Sequence, residues 1–152
     1  MPTTVTFGAR ELESKVKATY SDVAERPHGT YHFEMGHALA ERPGYRAADL
    51  DRIPREAIDS FAGVGHYFHL AALKPGETVV DFGSGSGMDS FVAALQVGKS
   101  GKVIGVDMTD AQLNKAESLR DRDGFGQVTY VKGYIEEVPF RRPLPIASSA
   151  TV

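Results

Sequence analysis

Two acids and three glycines carry the most chemistry in this chain. Asp81, Gly83, Gly85 and Gly87 alternate with single residues directly after the β-branched run Thr78-Val79-Val80. Alternating glycines let the backbone take positive φ and let a ligand approach the main chain closely. A helix starting behind them turns its free N–H groups toward the same spot. Asp81, at the end of the run, is positioned to accept hydrogen bonds from a ligand's polar head. The second acid, Asp107, ends another apolar run, Lys102-Val103-Ile104-Gly105-Val106. A carboxylate there can accept both hydroxyl protons of a diol in bidentate fashion.

The elements that must position these groups are a strand, a tight turn and a helix, repeated. Asp107 lies twenty residues past Gly87, the spacing at which a Rossmann-type fold sets an acid against ribose hydroxyls. An ordinary βα turn is the plainer reading of the glycines, and a helix-capping acid that of Asp107. Thr109-Asp110-Ala111-Gln112 already has the form of a capping box opening a helix. The pattern predicts a crossover helix over 89–97, a return loop at 98–101, a helix over 110–123 and a third strand at Val128-Thr129-Tyr130-Val131. Such βαβαβ elements form a parallel sheet with right-handed crossovers. The dinucleotide fingerprint G-x-G-x-x-G fits less well. Counted from Gly83 its third glycine falls on Met88, and from Gly85 on Ser90.

Upstream of the first strand the chain reads as helical. A helix is expected over 11–25, with Leu12, Val16, Thr19, Tyr20 and Val23 on one side. Short helical turns follow at 47–52 and 54–61, then a helix over 66–73 and a turn at Lys74-Pro75-Gly76-Glu77. The expected organisation is a helical region over 1–73, a partial Rossmann-like domain over 74–140 and a tail over 141–152. His66 and His69 stand three apart on a helix, a spacing open to a shared metal. No further ligands can be placed, so surface or cleft histidines are the favoured reading and no metal is expected. Tyr20 and Tyr31 join these histidines as candidate cleft residues. No catalytic residue is assigned.

With 152 residues the length fits one domain. The net charge of −3 leaves no basic footprint, so no nucleic-acid partner is expected. The absence of a long apolar run and of a leader-like start points to a soluble cytoplasmic chain without a membrane partner. There are no cysteines, hence no disulfide and no thiolate metal site.

Asp81-x-Gly83-x-Gly85-x-Gly87 resembles motif I of the class I S-adenosylmethionine methyltransferases. The run Gly105-Val106-Asp107-Met108-Thr109-Asp110-Ala111-Gln112-Leu113, the pair Asp89-x-Phe91 and Gly133-Tyr134-Ile135-Glu136 are similar to the arsenite methyltransferase branch. The likeness covers about residues 49–140. It implies an α/β Rossmann-like fold, of which the N-terminal half, with three parallel strands, is expected. It also implies methyl transfer from S-adenosylmethionine to a small-molecule acceptor. Asp81, Gly83, Ser84, Gly85 and Gly87 would hold the methionine part, Asp107 and Met108 the ribose side. Tyr134, Ile135 and Glu136 would border the adenine, where the family often has an acid and a small residue; a plain solvent loop is the alternative.

The chain departs from that branch at its thiols. Arsenic(III) is soft and is held by deprotonated sulfur. Where the family often has cysteine, this chain has Val64 and Ser90. Either the acceptor differs or the thiols belong to a segment this chain lacks. Residues 141–152 match no strand or helix pattern, and their composition is that of out-of-frame translation of a GC-rich gene. We therefore expect a frameshift near Phe140, a truncated copy with little or no activity, and an open sheet edge beside the first strand through which the chain self-associates. A noncatalytic S-adenosylmethionine-binding or oligomerisation fragment, and less so a nucleotide-cofactor oxidoreductase, remain alternatives.

Overall fold

The computed structural model describes residues 8–33, 35–36, 39–40, 44–63, 68–137 and 147–150. His37, Val64, Gly65, His66, Phe140 and residues 141–146 lie outside the described residues, as do the side chains of His69 and Glu136.

Helix α1 spans Ala9–Glu25, followed by the short α2 (Ala47–Leu50), α3 (Arg55–Asp59) and α4 (Phe68–Ala71). The sheet begins with β1 (Thr78–Phe82) and continues through α5 (Met88–Val97), β2 (Lys102–Asp107), α6 (Asp110–Asp123) and β3 (Val128–Lys132). A 3-10 turn, Ile135–Glu137, follows β3, and β4 covers Ala147–Ala150.

The four strands are parallel, in the order β3-β2-β1-β4. Each of the first three is a β-branched run short enough for one pass through a sheet. Side chains alternate between faces. Val79, Val103 and Val128 join Phe91, Val92, Leu113 and Leu119 in the main core, under α5 and α6. Val80, Ile104 and Val106 form a smaller buried cluster with Phe82 and Val131. Apolar residues on both faces are what a parallel sheet requires.

The three expected parallel strands are present, and a fourth, β4, corrects the expectation of an open edge beside β1. Val79, Val80, Asp81 and Phe82 pair with residues 147 to 150. Ala-Ser-Ser-Ala has neither a β-branched run nor an alternating pattern, so nothing local marks it as a strand. What orders it is the row of main-chain donors and acceptors that β1 presents, which cost free energy if left unmade.

The capping box is also corrected. Thr109 has extended backbone at the N-cap of α6, but its hydroxyl makes no capping bond. Its N–H donates instead to Asp107 Oδ1 at 2.8 Å. Gln112, which would have closed the box, is turned elsewhere. No helix among the described residues is long and apolar enough to cross a membrane.

Candidate cofactor and acceptor cavity

A cavity of about 810 Å³ lies beyond the C-terminal ends of β1 and β2, within the usual size range of small-molecule sites. Its floor is the glycine loop. Gly83 and Gly85 have φ of +72° and +52°, which a side chain would make strained. The loop is folded against the end of β2, where the N–H groups of Gly83 and Ser84 both donate to the Val106 carbonyl. Asp107 holds the next link, accepting from the Gly85 N–H through Oδ2 at 3.0 Å. Each carboxylate oxygen has a second lone pair, so Asp107 can still accept hydroxyl protons from a ligand.

Ser84, within this loop, sets its Oγ beside Gly105 of β2. It is buried and has no hydrogen-bond partner among the described residues. A buried hydroxyl left unpaired costs free energy, so a polar ligand atom there would relieve it.

The opposite wall comes from α1. Leu12, Val16 and Tyr20 line the cavity, and Leu12 keeps 53 % of its surface exposed. The apolar stripe expected on this helix therefore does not face the core; only its end, Val23 and Ala24, is buried. Phe61 and Ala57 extend the apolar wall. At the rim, Tyr134 donates to Glu13 Oε1 at 2.8 Å and accepts from Lys17 Nζ, with Lys17 and Glu13 2.7 Å apart. The Lys17 and Tyr134 bonds hold the Glu13 carboxyl below its ordinary range.

The cavity is acidic. Glu13, Asp89, Asp107 and Glu137 line it, and no lysine or arginine does among the described residues. Asp89 is buried and accepts from Tyr45 Oη. No group of three or more His, Cys, Asp or Glu among the described residues is placed to hold a metal ion.

Of the residues singled out from sequence, Gly83, Ser84, Gly85, Asp107, Met108, Tyr134 and Ile135 meet around this cavity. Asp81 and Gly87 do not line it. Asp81 is fully buried and accepts from Ser90 Oγ of α5 at 2.7 Å. The alternation of β1 explains this, because Asp81 shares the face of Val79, which α5 covers. Gly87, with φ +96°, is the N-cap of α5 and sits over Tyr130. Burial pushes the Tyr130 hydroxyl well above its ordinary range, and the Asp81 carboxylate adds to it. Tyr31 turns away from the cavity and donates to Asp22 Oδ2 at 2.8 Å. Tyr20, a candidate cleft residue, does line the cavity, while sequence reasoning missed Ser86, Thr109 and Gln112 and the rest of the α1 wall. The polar residues inside the glycine loop and the first turn of α6 were the available signal.

Residues 73–143 match a family model described as a methyltransferase domain. An arsenite methyltransferase of Halobacterium salinarum is 41% identical over 100 residues, 66% of this chain and 25% of that protein. One from Aquipseudomonas alcaligenes is 49% identical over 100 residues, 63% of this chain and 28% of that protein. The chain thus spans about a quarter of the length of these curated relatives. Among solved structures, an arsenic (III) S-adenosylmethionine methyltransferase from Chlamydomonas reinhardtii aligns at 40% identity and a TM-score of 0.49. That alignment covers 59% of this chain and 31% of that one. In its motifs and in these relatives, the chain resembles the arsenite branch of the class I methyltransferases, and the match to the methyltransferase-domain model runs over residues 73–143.

Proposed function

We propose that the cavity binds S-adenosylmethionine and that the chain takes part in methyl transfer to a small-molecule acceptor. The observation that carries this reading is the cavity's charge. A glycine loop that met a dinucleotide would face a pyrophosphate, and Asp89, Asp107 and Glu137 oppose that, with no lysine or arginine among the described lining residues and Glu13 paired with Lys17 at the rim. A sulfonium, positively charged, is favoured by the same field. The orphaned Ser84 hydroxyl and the close backbone of Gly83 and Gly85 fit a polar, amino-acid-like head. Asp107 fits a ribose diol, and Met108 and Ile135 offer apolar surface for a base. Asp81 braces the start of α5, behind the loop, through Ser90.

When bound, S-adenosylmethionine would supply a methyl group on a positively charged sulfur, open to in-line displacement. The residues here would contribute position and orientation, worth much of the rate in such reactions. The α1 wall would exclude water. The relatives' names make arsenite the first acceptor to test. With no cysteine among these residues, their side chains cannot hold arsenic(III) as thiolates, so thiols would have to come from outside this segment.

Titration calorimetry tests the binding step. S-adenosylhomocysteine is expected to bind and NAD not to; the reverse would sink the reading. Transfer of labelled methyl from S-adenosylmethionine to arsenite, with and without a small monothiol, tests the acceptor. Binding without transfer to any acceptor would favour the noncatalytic alternative.

A further inference from the structure

Gln112 is among the largest fully buried side chains, at 2 % exposure, yet it lines the cavity in the first turn of α6. A buried carboxamide must have both ends bonded. Its Nε2 donates to the Tyr20 carbonyl at 2.8 Å, and its Oε1 accepts from Ser86 Oγ. The orientation is forced, because a main-chain carbonyl can only accept. The partners stand on opposite walls: Ser86 in the glycine loop, Tyr20 on α1. Capping of α6 does not need this side chain, since Asp107 takes the Thr109 N–H. Lys115, on the same face of α6, anchors the far end of α1 by donating to the Ala24 carbonyl at 2.9 Å and to Ser60 Oγ at 2.7 Å. That bond fixes the helix end but does not touch the loop.

We propose that Gln112 is a positioning residue that couples ligand binding on the glycine loop to the seating of α1 over the cavity. A ligand that orders the loop holds Ser86 in place. Ser86 then fixes the carboxamide, and the carboxamide fixes the Tyr20 turn of α1. Linkage makes the effect reciprocal, so a well-seated α1 tightens ligand binding. The inference rests on the methyl-donor reading of the cavity.

Amide hydrogen exchange with and without S-adenosylhomocysteine tests it. In the unaltered chain the ligand is expected to slow exchange in both the glycine loop and residues 9–25. Gln112→Glu keeps the shape but cannot donate to the Tyr20 carbonyl. It should weaken binding about tenfold and, at saturating ligand, leave in α1 only the part of the slowing that direct contact with the ligand gives, while the slowing in the loop stays. Ser86→Ala cuts the same link at its other end and should do the same. The double variant should be no worse than either single one. A merely structural role would speed α1 exchange equally with and without ligand. Full ligand-induced slowing of α1 in Gln112→Glu, or additive losses, would overturn the proposal. Should Gln112→Glu fail to fold, Ser86→Ala decides. Failure of S-adenosylhomocysteine to bind the unaltered chain would instead overturn the methyl-donor reading, and the coupling with it.

Discussion

Asp107 performs two tasks at once, and they separate by substitution. It holds the Gly85 and Thr109 N–H groups, and it faces the cavity. Asn can accept through only one side-chain oxygen and carries no charge. Hydrogen bonds to charged groups are worth about 1.5–3 kcal/mol. Asp107→Asn should therefore weaken S-adenosylhomocysteine binding about ten- to a hundredfold by calorimetry, with a smaller loss of thermal stability. Behind the loop, Tyr130 and Gly87 form a second test. A Cβ at Gly87 would stand 2.2 Å from Tyr130 Oη and 2.9 Å from Phe91, at a φ that side chains rarely adopt. Gly87→Ala should cost about 3 kcal/mol by denaturant unfolding. Tyr130→Phe removes a buried hydroxyl that has no partner among the described residues, so it should be neutral or stabilising. Added to Gly87→Ala, it should recover part of the loss.

Elements were legible in the sequence where their signal is local. β1, β2 and β3 are β-branched runs bounded by glycines or turns, and α5 and α6 begin behind short connections. Gln112 shows the limit of that reading. Thr109-x-x-Gln112 has the spacing of a capping box, but a main-chain carbonyl 92 residues earlier in the chain claims the carboxamide. The α1 stripe shows a similar limit: the spacing put Leu12, Val16 and Tyr20 on one side of a helix, and what that side faces, a cavity, depends on residues far along the chain. Besides the Gln112 and Tyr134 contacts, two further ties run between elements near that wall. One is the Lys115 contact, whose amine burial pushes below its ordinary range. The other joins α3 to α6, where Arg122 donates to both oxygens of Glu56 at 2.5 and 3.0 Å. Those bonds lower the Glu56 carboxyl to about 2 from an ordinary 4.5. The folded form thus binds the proton less readily than the unfolded one. The pair's contribution is present above pH 4.5 and lost as the pH falls toward 2. Both side chains are about half exposed, so solvent screening limits it to below about 1 kcal/mol. Glu56→Gln should melt lower than the unaltered chain near neutral pH, and the gap should close in acid.

For the whole molecule, the decisive fact is that one cavity is walled by both ends of the chain's order. The glycine loop and Asp107 come from the sheet, Leu12 and Tyr20 from a helix some seventy residues earlier. A ligand that touches both should stabilise them together rather than the sheet alone. Binding only to the folded form raises stability by about 2.7 kcal/mol at a hundred times the dissociation constant. For a chain of this size that is a rise in Tm of several degrees, on the order of 10 °C. Saturating S-adenosylhomocysteine should therefore shift a single calorimetric transition upward, and NAD at the same concentration should not. If the helical region and the sheet were independent, the melt would split, with α1 lost at the lower temperature whether or not the ligand is present. β4 tests the edge of the sheet. Among the described strands it pairs with β1 alone, so its amides should exchange faster than those of β1 and β2.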